Sequence, residues 1–501
     1  MLTILNCHHP TVSTTDFTST ANFTNSVNSV PKRIPPSQLL IYHPHHALIR
    51  IAPHRHLDYP WISMNEQLAD WIAKDKAHCW HPFTAQDTWT DPEHEPMMLV
   101  SGDGVWLEDA HGRRYIDGNS SIWTNIHGHA HPQLNAAISA QLEKVAHTSF
   151  LGYSHPLAAE LAARLSGFFP DTSLSRTFFS DDGSTAIECA LKMALQYRMQ
   201  TGQPERCEFV AFINCYHGDT MGAASLGGVE AFFSRFRKFG MTVRFVRDLD
   251  ELRALEGLDR VAGVVIEPLV QGVNQIHVWP QGMLAELREF SQEQGIHLIL
   301  DEVMTGFGRT GTMFACQQEQ VVPDFLCLAK GLTAGYLPMA STMVREEIYD
   351  GFSGGRENAF YYSHSYTANP LGCAAALASL ELFSSNQILE QLPSKIEYLK
   401  QALQQLADNH PEVWQTRQCG MIAGIELRQA DGSAYPQSHR IGEKVCLAAR
   451  EFGLLTRPVL DTIVFLPPLS ITSEEIDLSF AAIAQGITAV LSDGRKNNTI
   501  E

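Results

Sequence analysis

Four short stretches of this sequence carry side chains suited to a single piece of chemistry, and each lies just beyond an apolar run. Lys330, in Ala329-Lys330-Gly331, follows Phe325–Leu328. An amine held out of water there can attack a carbonyl carbon. Asp301, in Asp301-Glu302, follows Ile296–Leu300 and offers a fixed carboxylate able to keep a pyridinium nitrogen protonated. After Arg176–Ser180 comes Asp181-Asp182-Gly183-Ser184-Thr185, opening a helical pattern with Ile187, Leu191, Ala194 and Leu195 on one face. Gly183 and Ser184 thus present free N–H groups, a hydroxyl and the positive end of a helix dipole to a phosphate. Tyr216, in Tyr216-His217-Gly218 beyond Phe209–Ile213, supplies a ring that can stack on a pyridine face, and Val303 can close the opposite face.

Each feature has an ordinary reading by itself. Asp-Gly-Ser before a helix is usually an N-cap, and a lysine closing a strand usually points into solvent. The apolar run ending in Asp301-Glu302 also matches the acidic half of a nucleotide-triphosphate site, but no G-x-x-x-x-G-K-[ST] stretch exists to cradle the phosphates. Amine, carboxylate and phosphate turn together are what pyridoxal 5'-phosphate (PLP) requires. Two decoys are set aside. Gly306-Phe307-Gly308-Arg309-Thr310-Gly311 fits the dinucleotide fingerprint but starts several residues after its strand and opens no convincing helix. His127-Gly128-His129-Ala130-His131 has no carboxylate or further histidine to complete a metal set, so no metal is expected.

Short apolar runs alternating with amphipathic helices must position these groups. The candidate strands are Arg176–Ser180, Phe209–Ile213, Val261–Ile266, Ile296–Leu300, Phe325–Leu328 and Met339–Val344; the helices include Thr185–Arg198 and Gln281–Gln294. This predicts an α/β fold, a mostly parallel sheet with helices on both faces plus a smaller α+β domain, with ligands gathered beyond the carboxyl ends of the strands. We divide the chain into a leader (1–63), the N-terminal part of the small domain (64–125), a large cofactor domain (126–385) and the C-terminal small domain (386–501).

Composition bounds the function. With 36 Lys+Arg against 55 Asp+Glu the formal net charge is −19, which excludes a general nucleic-acid or anionic-membrane binder. The longest apolar runs, such as Val261–Ile266, fall far short of the roughly 20 residues of a membrane span. Ten scattered cysteines without a C-x-x-C pair read as free thiols in a reducing compartment, hence a cytoplasmic protein. Residues 1–63, rich in Ser, Thr, Asn and His and without periodicity, are expected to be disordered.

The stretches Ser180–Glu188, Tyr216–Thr220, LDEVMTGFGRTG (300–311), CLAKG (327–331) and HSYTANPLGCAAA (364–376) resemble the class-III, fold-type I PLP aminotransferases, and the likeness runs from about Ala77 to the C-terminus. Within that class Trp80-His81-Pro82-Phe83-Thr84, DGNSSIWTNIHGHAH (117–131), Tyr216–Thr220 and Leu455-Thr456-Arg457-Pro458 are similar to the enzymes of biotin synthesis that convert 8-amino-7-oxononanoate into 7,8-diaminononanoate. The resemblance implies that Lys330 carries the Schiff base, Asp301 holds the pyridine nitrogen, Gly183 and Ser184 bind phosphate, and Tyr216 and Val303 flank the ring. It further implies that Phe83, Ile122, Trp123, Tyr216, Asp219, Ser363 and Arg457 meet substrate, with Arg457 facing a carboxylate. His364 and Ser365 would reach the phosphate of a second subunit in a homodimer with shared sites.

The chain departs from the pattern at three points. Members using S-adenosyl-L-methionine (SAM) carry Tyr at the place of Phe83 and Trp at that of Ile122, so SAM is the donor by family default and L-lysine the alternative. Met304 stands where many class-III enzymes have Gln. Another class-III enzyme acting on a different ω-amine, such as ornithine or 4-aminobutyrate, and a non-catalytic phosphate-binding scaffold remain the competing readings.

Overall fold

The computed structural model describes residues 64–169 and 173–491, so the expected leader lies outside the described residues. After a helix, Met64–His78, the strands β1 (Leu99–Asp103), β2 (Trp106–Asp109) and β3 (Arg114–Asp117) form an antiparallel meander. The central sheet is made of β4 (Arg176–Ser180), β5 (Glu208–Phe212), β6 (Val243–Val246), β7 (Val261–Ile266), and, after the small pair β8 (Val270–Gln271) and β9 (His277–Val278), β10 (His297–Asp301), β11 (Phe325–Leu328) and β12 (Ala340–Val344). A C-terminal sheet holds β13 (Val413–Cys419), β14 (Ile422–Leu427), β16 (Pro458–Val459) and β17 (Thr462–Phe465), while β15 (Leu454–Leu455) joins the first meander by pairing parallel to β3.

The central order is β4-β12-β11-β10-β7-β5-β6, parallel except for β12, which runs antiparallel to both neighbours. The expected mostly parallel sheet is therefore present. Its middle strands are continuous apolar runs because alternate side chains enter two separate cores. Val264, Ile266, Leu298, Leu300, Leu326 and Leu328 face one core; Val265, Ile299, Phe325 and Cys327 face the other, against the helix Gly183–Gln200. Strand boundaries shift by one residue from expectation at β5, β10 and β12, and β6 is not among the expected strands. At four residues on the sheet edge, β6 is too short to announce itself by periodicity.

No helix among the described residues is long and apolar enough to cross a membrane. The dinucleotide-like loop braces the fold. Its Arg309, fully buried, donates to the carbonyls of Asn125 at 2.7 Å and Pro467 at 2.5 Å and so ties three distant segments together. His127 shares a 2.9 Å hydrogen bond with Ser379 Oγ, and His129 one of 3.0 Å with Asp117.

Candidate active site

A cavity of about 810 Å³ opens beyond the carboxyl ends of β4, β5, β7, β10 and β11. Its lining brings together Lys330, Asp301, Tyr216, Gly183, Ser184, Val303, Phe83, Ile122, Trp123 and Arg457. Asp219 does not line it but accepts a 2.8 Å hydrogen bond from the Tyr216 hydroxyl.

The acidic pair divides its work because successive strand-end side chains point to opposite faces. Asp301 turns to the cavity, where Oδ1 accepts from Val303 N at 3.1 Å and Oδ2 meets His217 Nδ1 at 2.7 Å. Glu302 turns away, and its carboxylate gathers the amides of Ala315 at 2.6 Å and Cys316 at 2.8 Å. Burial opposes a charge on His217, yet Cys215 and the Asp301 carboxylate outweigh it and hold the imidazole well above the ordinary histidine range.

Lys330 opens a tight turn after β11 with φ +43, a conformation a side chain adopts only where the surroundings impose it. Its Nζ sits 4.8 Å over the Trp123 ring. Burial pushes the amine below the usual lysine range against the pull of Asp301 and Glu267.

At the helix Gly183–Gln200, Asp182 is the N-cap, accepting from Thr185 N at 2.9 Å in a capping box. The N-cap reading therefore holds for Asp182, and it frees the next two residues: the amides of Gly183 and Ser184 have no hydrogen bond among the described residues. A Cβ on Gly183 would lie 2.6 Å from Val303 Cγ1, so only glycine lets this turn approach the cavity. Ser184 Oγ accepts from Asp219 N at 3.1 Å.

The wall opposite is unusual. Ser120, Ser121, Ile122 and Trp123 have φ of +45, +49, +68 and +68, a left-handed turn made without glycine. Each such residue costs roughly 1–2 kcal/mol, and a β-branched Ile there is rarer still. Phe83, with φ +53, meets Phe232 edge to face at 5.3 Å between ring centres.

Arg457 is exposed, and its guanidinium has no ion pair among the described residues. Ser363, His364 and Ser365 do not line the cavity of their own chain; His364 Nδ1 lies 3.2 Å from Asp181 Oδ2. Glu267 and His217 also line the cavity and are not among the residues expected from the sequence. Glu267, directly after β7, is buried; Oε1 accepts from Tyr216 N at 3.2 Å and Oε2 from Gly272 N at 2.8 Å. Burial pushes its carboxyl up to about 7, offset in part by His217 and reinforced by Asp301. The strand-end rule that finds Asp301 marks Glu267 too. His217 is the other, and its place directly after Tyr216 is the signal that could have found it.

A buried carboxylate, unpaired helix-start amides and a desolvated amine on one cavity are the donor set that a phosphorylated pyridine aldehyde needs, so the residues present fit PLP. Comparison with known proteins agrees. The chain belongs to the class-III aminotransferases, whose family description, "Aminotransferase class-III", matches residues 89–487. It is 42% identical over 451 residues to an adenosylmethionine-8-amino-7-oxononanoate aminotransferase of Geobacter sulfurreducens, covering 85% of this chain and 98% of that protein. A crystal structure of the enzyme of that name from Methanocaldococcus jannaschii superposes with a TM-score of 0.82 at 35% identity, covering 84% and 99% of the two chains. An amine transaminase from an uncultivated Pseudomonas species, solved in a PLP-bound form, gives 0.77 at 31% identity over 82% and 99%. The protein is thus a PLP-dependent aminotransferase of fold-type I.

Proposed function

We propose that this enzyme transfers an amino group to 8-amino-7-oxononanoate, forming 7,8-diaminononanoate for biotin synthesis, with SAM as donor. The observation that carries the reading is the convergence of Lys330, Asp301, the free Gly183 and Ser184 amides and an unpaired Arg457 on one cavity, in a chain similar to enzymes of that name. PLP, when bound, supplies an electron sink for the carbon that loses its proton.

The chain's own groups do the rest. Gly183 and Ser184 would hold the phosphate with two amides and a hydroxyl. Asp301, backed by His217, would hold a protonated ring nitrogen. Lys330 would anchor the aldehyde carbon and serve as the base that carries a proton between two carbons; burial lowers its pKa, which favours that role. Trp123 covers Nζ at 4.8 Å from its ring centre, and Arg457 would pair with the substrate carboxylate. The donor's product leaves before the acceptor enters, so initial-rate patterns are ping-pong.

L-lysine as donor is the second reading, favoured by one observation: Phe83 has no hydroxyl and Ile122 no aromatic face to offer a larger donor. We further read the enzyme as a cytoplasmic homodimer in which His364 and Ser365 serve the neighbouring copy's site, and the domain division at 125 and 385 as its working units. The test is the purified holoenzyme with 8-amino-7-oxononanoate and, in turn, SAM, lysine, ornithine and 4-aminobutyrate. Turnover of 8-amino-7-oxononanoate with SAM is expected, and Lys330→Ala abolishes it in a folded protein. Turnover only with another ω-amine and a different acceptor would reject the assignment.

A further inference from the structure

The left-handed turn that carries Ile122 and Trp123 needs something to hold it, and the structure shows what does. Asp117 closes β3 and is buried. Its Oδ1 accepts from Ser121 N at 2.9 Å, and its Oδ2 accepts from Ser121 Oγ at 2.7 Å. His129 Nε2 meets the same Oδ2 at 3.0 Å, and the His129 backbone is bridged to Gly104 at the β1–β2 turn. Ser120 Oγ donates to Leu466 O at 2.6 Å, and Trp123 Nε1 donates to Asn119 Oδ1 at 2.8 Å. Three separate segments, the β3 end, the His127–His131 loop and the stretch after β17, therefore converge on four residues whose backbone would otherwise relax. Strained backbone persists only where its surroundings over-determine it.

We infer that Asp117 and His129 are positioning residues for substrate specificity: they hold Ser120–Trp123 left-handed so that Ile122 and Trp123 form the wall against which the substrate chain lies. Neither Asp117 nor His129 lines the cavity. Their effect runs through the turn. The inference deepens the proposed reaction and rests on it for the identity of the substrate, but not for the existence of the clamp. It also gives the otherwise idle His-x-His-x-His stretch a part in the site.

The experiment compares wild-type holoenzyme with Asp117→Ala, Asp117→Asn and the double variant Asp117→Ala, Ser121→Gly. The clamp predicts a KM for 8-amino-7-oxononanoate raised about tenfold or more in Asp117→Ala, with kcat within about threefold and the visible absorbance of bound cofactor unchanged. Glycine tolerates positive φ without a clamp, so Ser121→Gly recovers a large part of the lost KM. Asp117→Asn keeps an acceptor for Ser121 N, gives an intermediate shift, and provides the measurement if the alanine variant fails to fold. An unchanged KM in folded Asp117→Ala, or an equal loss in KM, kcat and cofactor absorbance with no glycine rescue, overturns the inference. Should the wild type be inert toward 8-amino-7-oxononanoate and active on another ω-amine, the proposed reaction falls and the same KM comparison on that amine still decides the clamp.

Discussion

His217 Nδ1 lies 2.7 Å from Asp301 Oδ2, and both side chains are closed off from solvent. A carboxylate at such depth is costly unless it is hydrogen-bonded, and His217 and the Val303 amide supply its partners. Burial opposes a charge on His217, and Cys215 together with the Asp301 side chain raises its pKa well above the ordinary histidine range in spite of it. The contact fixes the Asp301 carboxyl group in the cavity lining, where it would face a protonated ring nitrogen.

Replacing Asp301 by Asn removes the counter-charge while leaving buried His217 an amide oxygen as hydrogen-bond acceptor. Losing that counter-charge removes the stabilisation of a protonated ring nitrogen, so kcat falls by a factor on the order of 100 or more while cofactor remains bound. His217→Phe is milder, roughly tenfold, and shifts the pH dependence of the cofactor absorbance. Steady-state rates and a visible titration check both, and an Asp301→Asn enzyme within a few-fold of wild type would remove Asp301 from the role.

Acid stability tests the buried histidines. Burial, with repulsion from His131, lowers His127 from 6.5 to about 3. The folded state thus stays neutral at this ring while an unfolded histidine takes its proton. On going from about pH 7 to about pH 5 only the unfolded chain gains that proton, and stability falls by about 2 kcal/mol through His127 alone. The variant His127→Gln keeps a partner for Ser379 and lacks the titration. Denaturant unfolding at the two pH values should show the wild type losing about 2 kcal/mol more than the variant; parallel losses would place the proton elsewhere.

Gly272 lies behind the cavity wall, packed close to Met304 and Trp123. A Cβ there would stand 2.6 Å from Met304 Sδ and 2.9 Å from Trp123 Cζ3, and its amide is already held by Glu267. Gly272→Ala displaces the Trp123 ring from above Lys330. Overpacking of this kind costs about 1–3 kcal/mol of stability, and a misplaced wall lowers kcat/KM about tenfold or more. Kinetics with a melting curve separate the two effects; an unaltered kcat/KM would show that the wall yields elsewhere.

Legibility in the sequence follows burial. The strands β7, β10 and β11 are apolar on both faces, so their ends, and with them Asp301 and Lys330, stand out in one dimension. The phosphate turn is equally readable because Gly183 and Ser184 begin a helix whose apolar face is periodic. What stays hidden has no one-dimensional mark. Ser120–Trp123 turns left-handed without a glycine to announce it, and its cause, Asp117 with His129, is a contact made only after β3 and the His127–His131 loop have met. Glu267 follows a strand as Asp301 does, but no partner in the sequence suggests that its carboxylate holds the amides of Tyr216 and Gly272. Nor does Asp301-Glu302 show which carboxylate faces the cavity, since that depends on strand register.

The donor is the sharpest open test of the cavity wall. SAM carries a sulfonium and an adenine, which gain from aromatic faces and a phenolic hydrogen bond, whereas lysine brings a slender chain and an ammonium. Here Phe83 offers a ring without a hydroxyl, packed edge to face on Phe232, and Ile122 offers a branched alkyl group from the left-handed turn. Each missing contact is worth on the order of 1 kcal/mol, close to tenfold in kcat/KM. The double variant Phe83→Tyr, Ile122→Trp should then gain roughly tenfold to a hundredfold with SAM. Lysine should lose, because a large ring at residue 122 fills the space along the alkyl chain. The tryptophan must also enter the left-handed turn, which Trp123 already tolerates at φ +68, so the backbone does not forbid it. Measuring kcat/KM for both donors in the wild type and the double variant decides the matter: no gain with SAM, with lysine inert in both, would show that the two substitutions leave donor choice untouched.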